Sequence, residues 1–369
     1  MVSLKKWIKS NIITTIAIIF AIITCFFVPI DYNYINYFDF KKLGCLTCVL
    51  AVVQCLKDSQ FFDVIAKKFV SLFKDVRSII VALVVLTIIC DLLLANDMSL
   101  ITLLPLTYII LKNTNNMKYY GLTLILQNIA ANMSGMITPH GNPQNLYLYS
   151  YYDIPTLEFV QILLPHFLII ILLLVLLPFL IIKKESIELS IDKKNKFDKN
   201  IYAYIILFVF SLLIIFRIVP YIFGFIVVMI SVYVLNKSAL VRMDWDLILT
   251  FCAFFVFSGN ISRIPAISST LKLLINKNEL IAGIISCQFI SNVPTAILLS
   301  KFTADYKSLV VASNIGSLGT LISSLASLIT LKEYMKHEKN VLNYIIKFTL
   351  ISLSFLIIML LYIYLSKIW

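Results

Sequence analysis

The residues able to do chemistry sit in two stretches of an otherwise apolar chain. Asn128 to Tyr149 reads NIAANMSGMITPHGNPQNLYLY, with Gly135, Pro139, Gly141 and Pro143 inside nine positions. Each proline removes a backbone donor and restricts the residue before it, so this stretch is not expected to be one continuous helix. Asn128, Asn132, Ser134, Thr138, Asn142, Gln144 and Asn145 add polar side chains at a depth where unsatisfied groups cost about several kcal/mol. Ser308 to Leu331 carries Asn314, Gly316, Gly319 and Thr320 in its middle, a second candidate for an interrupted helix. In a bilayer such backbone survives only where it lines a cavity or is buried in protein. Half-helix amino-terminal ends favour anions, while unwound carbonyls and carboxyl-terminal ends favour cations such as sodium.

Asn96 and Asn292 stand where pairs of apolar runs meet. Their amide oxygens suit a cation and their amide hydrogens suit an oxyanion, so a cation and an anion can be bound together. An acid inside a membrane is costly and by default marks a proton or cation site. Asp97, beside Asn96, is the expected one; Asp91 is either a second such site or a neutral acid hydrogen-bonded within its helix. His140 reads as a loop histidine near the outer surface, with a pH-sensitive gate as the alternative.

These residues need elements to position them. The chain of 369 residues is 60% hydrophobic with a mean hydropathy of +0.95, far more apolar surface than a soluble core could hide. It reads as a polytopic membrane protein, which leaves a channel, a transporter or an intramembrane enzyme. The net charge of +12 comes from lysines in short clusters between apolar runs, which indicates membrane topology and no nucleic-acid partner. Cys45 and Cys48 form a lone C-x-x-C, so the cysteines are expected to be small core residues and not zinc or redox centres. His337-Glu338 does not continue into H-E-x-x-H, and neither a Walker A loop nor G-x-S-x-G occurs, so neither an enzyme nor a cofactor is expected.

In order, the chain offers a retained first span from Asn11 to Ile30, a second apolar segment from Leu43 to Leu56 and an interfacial amphipathic helix from Phe62 to Val76. A pair of runs (about 78–111) meets at Asn96, the broken stretch (about 119–150) follows, and a long span runs from Leu157 to Ile182. A charged linker, 183–200, divides the chain. Spans at about Ile201–Ile218, Tyr221–Leu235 and Trp245–Ser258 precede a second pair (about 279–304), a second broken helix (about 308–331) and a final span to about Leu365. Glu279–Ile290 and Pro294–Phe302 are each shorter than a span and should enter and leave by one face. The halves 1–182 and 201–369 share this order of parts. The expected fold is an all-α polytopic membrane protein: an inverted repeat with two re-entrant hairpins and two broken transmembrane helices.

With the amino terminus in the cytoplasm of a plasma (inner) membrane, the inner loops 1–10, 57–77, 112–118, 183–200, 237–244 and 332–340 hold roughly 21 of the 31 Lys and Arg, as the positive-inside rule requires. A hairpin and a pair of spans have the same parity, so charge does not separate them.

LLANDMSLITLLPLT (93–107), CQFISNVPTAILLSKFT (287–303), TPHGNPQN (138–145) and NIGSLGTL (314–321) together resemble the citrate-transporter-like branch of the ion transporter superfamily, with its divalent-anion/sodium symporters, arsenite permeases and sodium/proton antiporters. The resemblance implies a scaffold and a moving transport part, often dimeric, that carries its ligand by an elevator-type motion. It implies sodium at Asn96 and Asn292, and a cation or proton site drawn from Asp97, Asn96, Asn132, Gly135, Asn292, Gly316 and Gly319. A small anionic substrate is expected at Asn96, Thr138, Gly141, Asn142, Asn292, Thr295, Asn314 and Thr320. Where the carboxylate symporters carry Ser-Asn-Thr, this chain has Ala95-Asn96-Asp97 and Ser291-Asn292-Val293, a loss of hydroxyls that would meet a carboxylate, and the N-x-P tip Asn292-Val293-Pro294 looks more like the arsenite and antiporter branches. The expected function is a cation-coupled secondary transporter of a small anion or oxyanion. A sodium/proton antiporter, an arsenite-type efflux permease and a non-transporting membrane protein are the alternatives.

Overall fold

The computed structural model describes residues 12–38, 40–61, 72–93, 96–186, 199–216, 218–265, 269, 275 and 277–366. Among them the chain forms fifteen α-helices and no strand beyond a single Asp75–Ser186 bridge. In the first half these are α1 (Ile12–Cys25), α2 (Phe40–Asp58), α3 (Val76–Leu93), α4 (Asn96–Asn113), α5 (Tyr120–Ser134), α6 (Pro143–Tyr151) and α7 (Thr156–Ile181). The second half holds α8 (Ile201–Ile215), α9 (Tyr221–Arg242), α10 (Trp245–Arg263), α11 (Glu279–Ile290), α12 (Asn292–Leu299), α13 (Tyr306–Ile315), α14 (Leu325–His337) and α15 (Val341–Ser366).

Among the described residues four helices, α7, α9, α10 and α15, are long and apolar enough to cross a bilayer. On α7, Phe159, Leu163, His166, Ile170 and Leu174 face inward at helical spacing. Leu157, Leu164, Leu168, Leu172 and Leu176 are exposed on the other side. A helix apolar on both faces fits hydrocarbon outside and protein inside. The elements that carry the polar residues are instead enclosed: every residue of α12 is buried, as is α5 from Thr123 to Ser134.

The two pairs differ in length. At 1.5 Å per residue, α11 and α12 reach only about 18 and 12 Å, well short of the roughly 30 Å hydrocarbon core, whereas α3 and α4 each reach about 27 Å. Each broken helix packs on the pair of its own half and on a segment from the other half. Thus α5 lies against α3, α4 and α14, and α13 lies against α11, α12 and α6. The second segments of the two broken helices are in effect exchanged, which brings the two breaks together.

Two local expectations are revised. The span expected to stop at Leu235, before an inner loop at 237–244, continues as α9 to Arg242 through a non-helical Asn236. Its Oδ1 accepts from the Ala239 N–H (3.2 Å) and the Ser238 hydroxyl (2.7 Å), so it starts a new turn as an internal cap. The interfacial helix expected over Phe62–Val76 falls largely outside the described residues; Leu72–Asp75 is not helical, and Val76 already belongs to α3. Most of the 183–200 linker, Ala95 and the Asp97 side chain also lie outside the described residues. At one end of the molecule Arg263 grips both Asp31 carboxylate oxygens (3.0 and 2.7 Å), which holds that carboxyl below its usual range.

Candidate functional site

Both broken helices end the same way. α5 stops at Gly135 (φ −63°, ψ −13°) and α13 at Gly316 (φ −65°, ψ −10°), each leaving carbonyls with no helical partner. An amide side chain caps each set. Asn145 Nδ2 donates to the Gly135 and Met136 carbonyls (both 3.1 Å), and Gln288 Nε2 donates to those of Gly316 (2.8 Å) and Leu318 (2.9 Å).

The asparagines between the paired runs reach these breaks through their own backbone. The Asn96 N–H donates to the Gly141 carbonyl (3.3 Å) and the Asn292 N–H to the Ser323 carbonyl (3.0 Å). Side chains then join the halves. Asn132 Oδ1 accepts from Asn96 Nδ2 (2.9 Å) and from the Ser324 hydroxyl (2.7 Å), and Asn128 Nδ2 donates to Thr330 Oγ1 (3.0 Å). Asn314 Oδ1 accepts from Asn142 Nδ2 and Gln144 Nε2 (both 3.4 Å), while Asn314 Nδ2 donates to Asn145 Oδ1 (2.6 Å). Asn132 and Asn314, each just before its glycine, are the hubs, and each touches the exchanged segment of the other half.

Of the predicted site residues, Asn96, Asn132, Gly135, Gly141, Asn142, Asn292, Asn314 and Gly316 lie in or border this connected region. Thr138 closes the first break, its hydroxyl accepting from the Gly141 N–H (3.1 Å). Gly319 and Thr320 belong to the second: Thr320 donates to Gln288 twice, from its N–H to Oε1 (2.9 Å) and from its hydroxyl to the carbonyl (3.1 Å), and Gly319 takes φ +115° while packing on the Gln288 amide, a place that only glycine fits without strain. Thr295 is buried inside α12. Asn292 turns its amide oxygen back onto its own helix, accepting from the Val293 N–H (2.9 Å) and the Ser291 hydroxyl (3.3 Å). Ser291 before it is held at φ 72°, ψ 159°, a conformation costing about 1–3 kcal/mol in a non-glycine residue.

His140 is not a surface residue. It is buried, with Nε2 3.2 Å from the Leu92 carbonyl and its ring edge-on to Phe216. Asp91 is fully buried and faces the first break, accepting from the hydroxyls of Ser134 (2.8 Å) and Ser99 (3.3 Å). A Cβ on Gly135 would stand 2.6 Å from Asn142 Oδ1 and 2.7 Å from Asp91 Oδ2, so both oxygens crowd one point. Three buried amide oxygens around the breaks, Asn96 Oδ1, Asn142 Oδ1 and Gln144 Oε1, accept no hydrogen bond among the described residues. Buried acceptors of this kind suit a cation. The residues missed as site members were Asn128, Asn145, Gln144, Ser324 and Gln288. The first three lie in the polar stretch already singled out, whereas Gln288 and Ser324 give no signal beyond being polar in an apolar run.

The citrate transporter family model matches residues 2–308. The chain belongs to the citrate transporter family. It is 35% identical over 296 residues to an uncharacterized transporter of Methanocaldococcus jannaschii, covering 80% of this chain and 81% of that protein. It is 26% identical over 302 residues to the inner membrane protein YbiR of Escherichia coli strain K12, covering 80% of each. The chain is therefore an integral membrane protein of a transporter family. The family match takes in Asn96, Asn292 and the whole first break, and ends before Asn314.

Proposed function

We propose that this family member is a cation-coupled secondary transporter of a small anion or oxyanion, with sodium or a proton as coupling ion and an elevator-type alternation of access. In this reading residues 1–182 and 201–369 are inverted repeats joined by a cytoplasmic linker. The two helix pairs are re-entrant hairpins, and the amino terminus is cytoplasmic in the plasma membrane. The observation that carries it is the chain Asn96–Asn132–Ser324, with Asn292 bonded to the adjacent Ser323, which ties both tips and both breaks into one buried polar region. Such a region, with half-helix ends and unwound backbone, is where transporters built from inverted repeats bind substrate and ion. The hydroxyl-poor tips favour an oxyanion over a dicarboxylate. A buried carboxylate at Asp91 supports a second reading, a sodium/proton antiporter.

Purified protein in proteoliposomes, given an inward sodium or proton gradient, should accumulate one of citrate, phosphate, sulfate or arsenite above its equilibrium level. That accumulation should collapse when an ionophore removes the gradient. Proton movement driven by sodium with no anion taken up would replace this reading with the antiporter; no flux of either kind would overturn both.

A further inference from the structure

Away from the breaks, a cleft of about 680 Å³ opens between the start of α5, the end of α7 and the start of α15, a size typical of small-ligand sites. The flanking helices fix its depth. α7 and α15 have 26 residues each, about 39 Å at 1.5 Å per residue and about 9 Å more than the hydrocarbon core, so their ends stand in the interface. Ile181, the last residue of α7, and Lys347, six residues into α15, both line the cleft, and Lys183 and Lys184 follow α7 closely. A lysine at that depth carries its ammonium to the bilayer surface.

The lining is divided by chemistry. Leu122, Ile125, Ile181 and Ile351 make an apolar part, and Lys118, Glu338, Asn343 and Lys347 a polar one. Ile181 is exposed, as are Ile346 and Leu350 beside the cleft on α15, so the apolar part opens sideways toward lipid. Lys118 is neutralised by Glu185 at 2.8 Å. Lys347 and Glu338 have no ion partner among the described residues, each other included, although both line the same cleft. Tyr344 lines it too and is only 2% exposed, and its hydroxyl has no hydrogen-bond partner among the described residues. A buried hydroxyl donor without an acceptor suits a ligand oxygen.

One unpaired cation, one unpaired anion, an orphan hydroxyl and an apolar wall match an amphiphile that carries a phosphate and an ammonium a few bonds apart. We propose that the cleft holds one phosphatidylethanolamine molecule, with its phosphate on Lys347 and Asn343, its ammonium on Glu338, an oxygen accepting from Tyr344 and an acyl chain along Leu122, Ile125 and Ile351. A choline headgroup offers Glu338 no N–H, and a glycerol headgroup offers it no cation. Because α5 walls the cleft and its other end is the first break, the lipid braces that helix against α7 and α15. The inference needs the chain to lie in a membrane and does not rest on the transport reading.

The test is native mass spectrometry of the purified full-length protein after incubation in detergent with equimolar dioleoyl-phosphatidylethanolamine, dioleoyl-phosphatidylcholine and dioleoyl-phosphatidylglycerol. Wild-type protein should retain one phosphatidylethanolamine per chain, at least about fivefold over either competitor, and that lipid should raise its melting temperature by mass action. Lys347→Gln and Glu338→Gln should each lower retention at least about fivefold while eluting as a single species on gel filtration. Ile351→Trp, which fills the apolar part with both charges in place, should lower it too. Lys112→Gln, at an exposed lysine that does not line the cleft, should retain the lipid as wild type does. Equal retention of the three lipids, a preference for phosphatidylglycerol, or wild-type retention in both glutamine variants at Lys347 and Glu338 would overturn the assignment. So would soluble glycerophosphoethanolamine raising the melting temperature as far as the lipid does, because the site would then recognise a free phosphate ester.

Discussion

Asn314→Ala is expected to lower the stability of the purified protein by about 2–6 kcal/mol and to abolish transport. The estimate counts two stranded polar groups at about 1–3 kcal/mol each. Gln144 Nε2 loses the acceptor it holds in Asn314 Oδ1, and Asn145 Oδ1 loses its 2.6 Å donor. Both sit in a fully enclosed part of α6, where no solvent replaces the missing partner. Asn145 is also the residue that caps the Gly135 and Met136 carbonyls, so loosening it releases the first break although the substitution lies in the second half. Asn314→Asp is the informative companion. It keeps an acceptor for Asn142 and Gln144 but turns a carboxylate oxygen onto the Asn145 Oδ1 and the Val310 carbonyl (2.8 Å) in a buried site, so it should lose at least as much melting temperature as alanine and be as impaired in uptake. A melting temperature within a degree or two of wild type for Asn314→Ala would show that the network contributes little.

Gly135→Ala is the second large effect. The residue is at φ −63°, so alanine suits the backbone, and the obstacle is space alone: the new methyl would stand 2.6 Å from Asn142 Oδ1 and 2.7 Å from Asp91 Oδ2. Overpacking of a tight site costs about 1–3 kcal/mol, and here the displaced atoms are two fixed polar groups, not the ends of flexible chains. The variant should fold, melt somewhat earlier and lose at least ten-fold in cation-driven uptake, because the methyl occupies the point the two oxygens share. Uptake at the wild-type rate would mean that this point is not used in coupling.

The breaks were legible in the sequence because glycine, proline and asparagine stand out against apolar runs whose composition otherwise allows only helix. Asn96 and Asn292 were legible for the same reason, as polar joints where two apolar runs meet, the runs of the second pair being too short to span. What the chain did not disclose is how the pieces pair. Nothing local marks Ser324 as a partner of Asn132, and the exchange of α6 and α14 between halves is a long-range arrangement that periodicity cannot encode. Periodicity is itself weak here, because a helix such as α7 is apolar on its lipid face as well as its inner face. Gln288 was passed over because a single glutamine in an apolar run looks like any other polar residue; its role appears only when the Gly316 and Leu318 carbonyls are found beside it. Asp97 drew attention by adjacency to Asn96, and its side chain lies outside the described residues; Asp91, upstream of it and buried at the end of α3, is a carboxylate that faces the first break.

The account stands on the two halves meeting in one hydrogen-bonded region, and the Asn132–Ser324 contact of 2.7 Å links them directly. A double-mutant cycle with Asn132→Ala, Ser324→Ala and the pair, read as unfolding free energy in the same detergent or lipid, measures that link. Membrane proteins give couplings of about 0.6 kcal/mol on average for such pairs, rising to about 1.7 kcal/mol, and a value in that range is predicted here. Strictly additive losses, with a coupling indistinguishable from zero, would contradict the meeting of the two breaks.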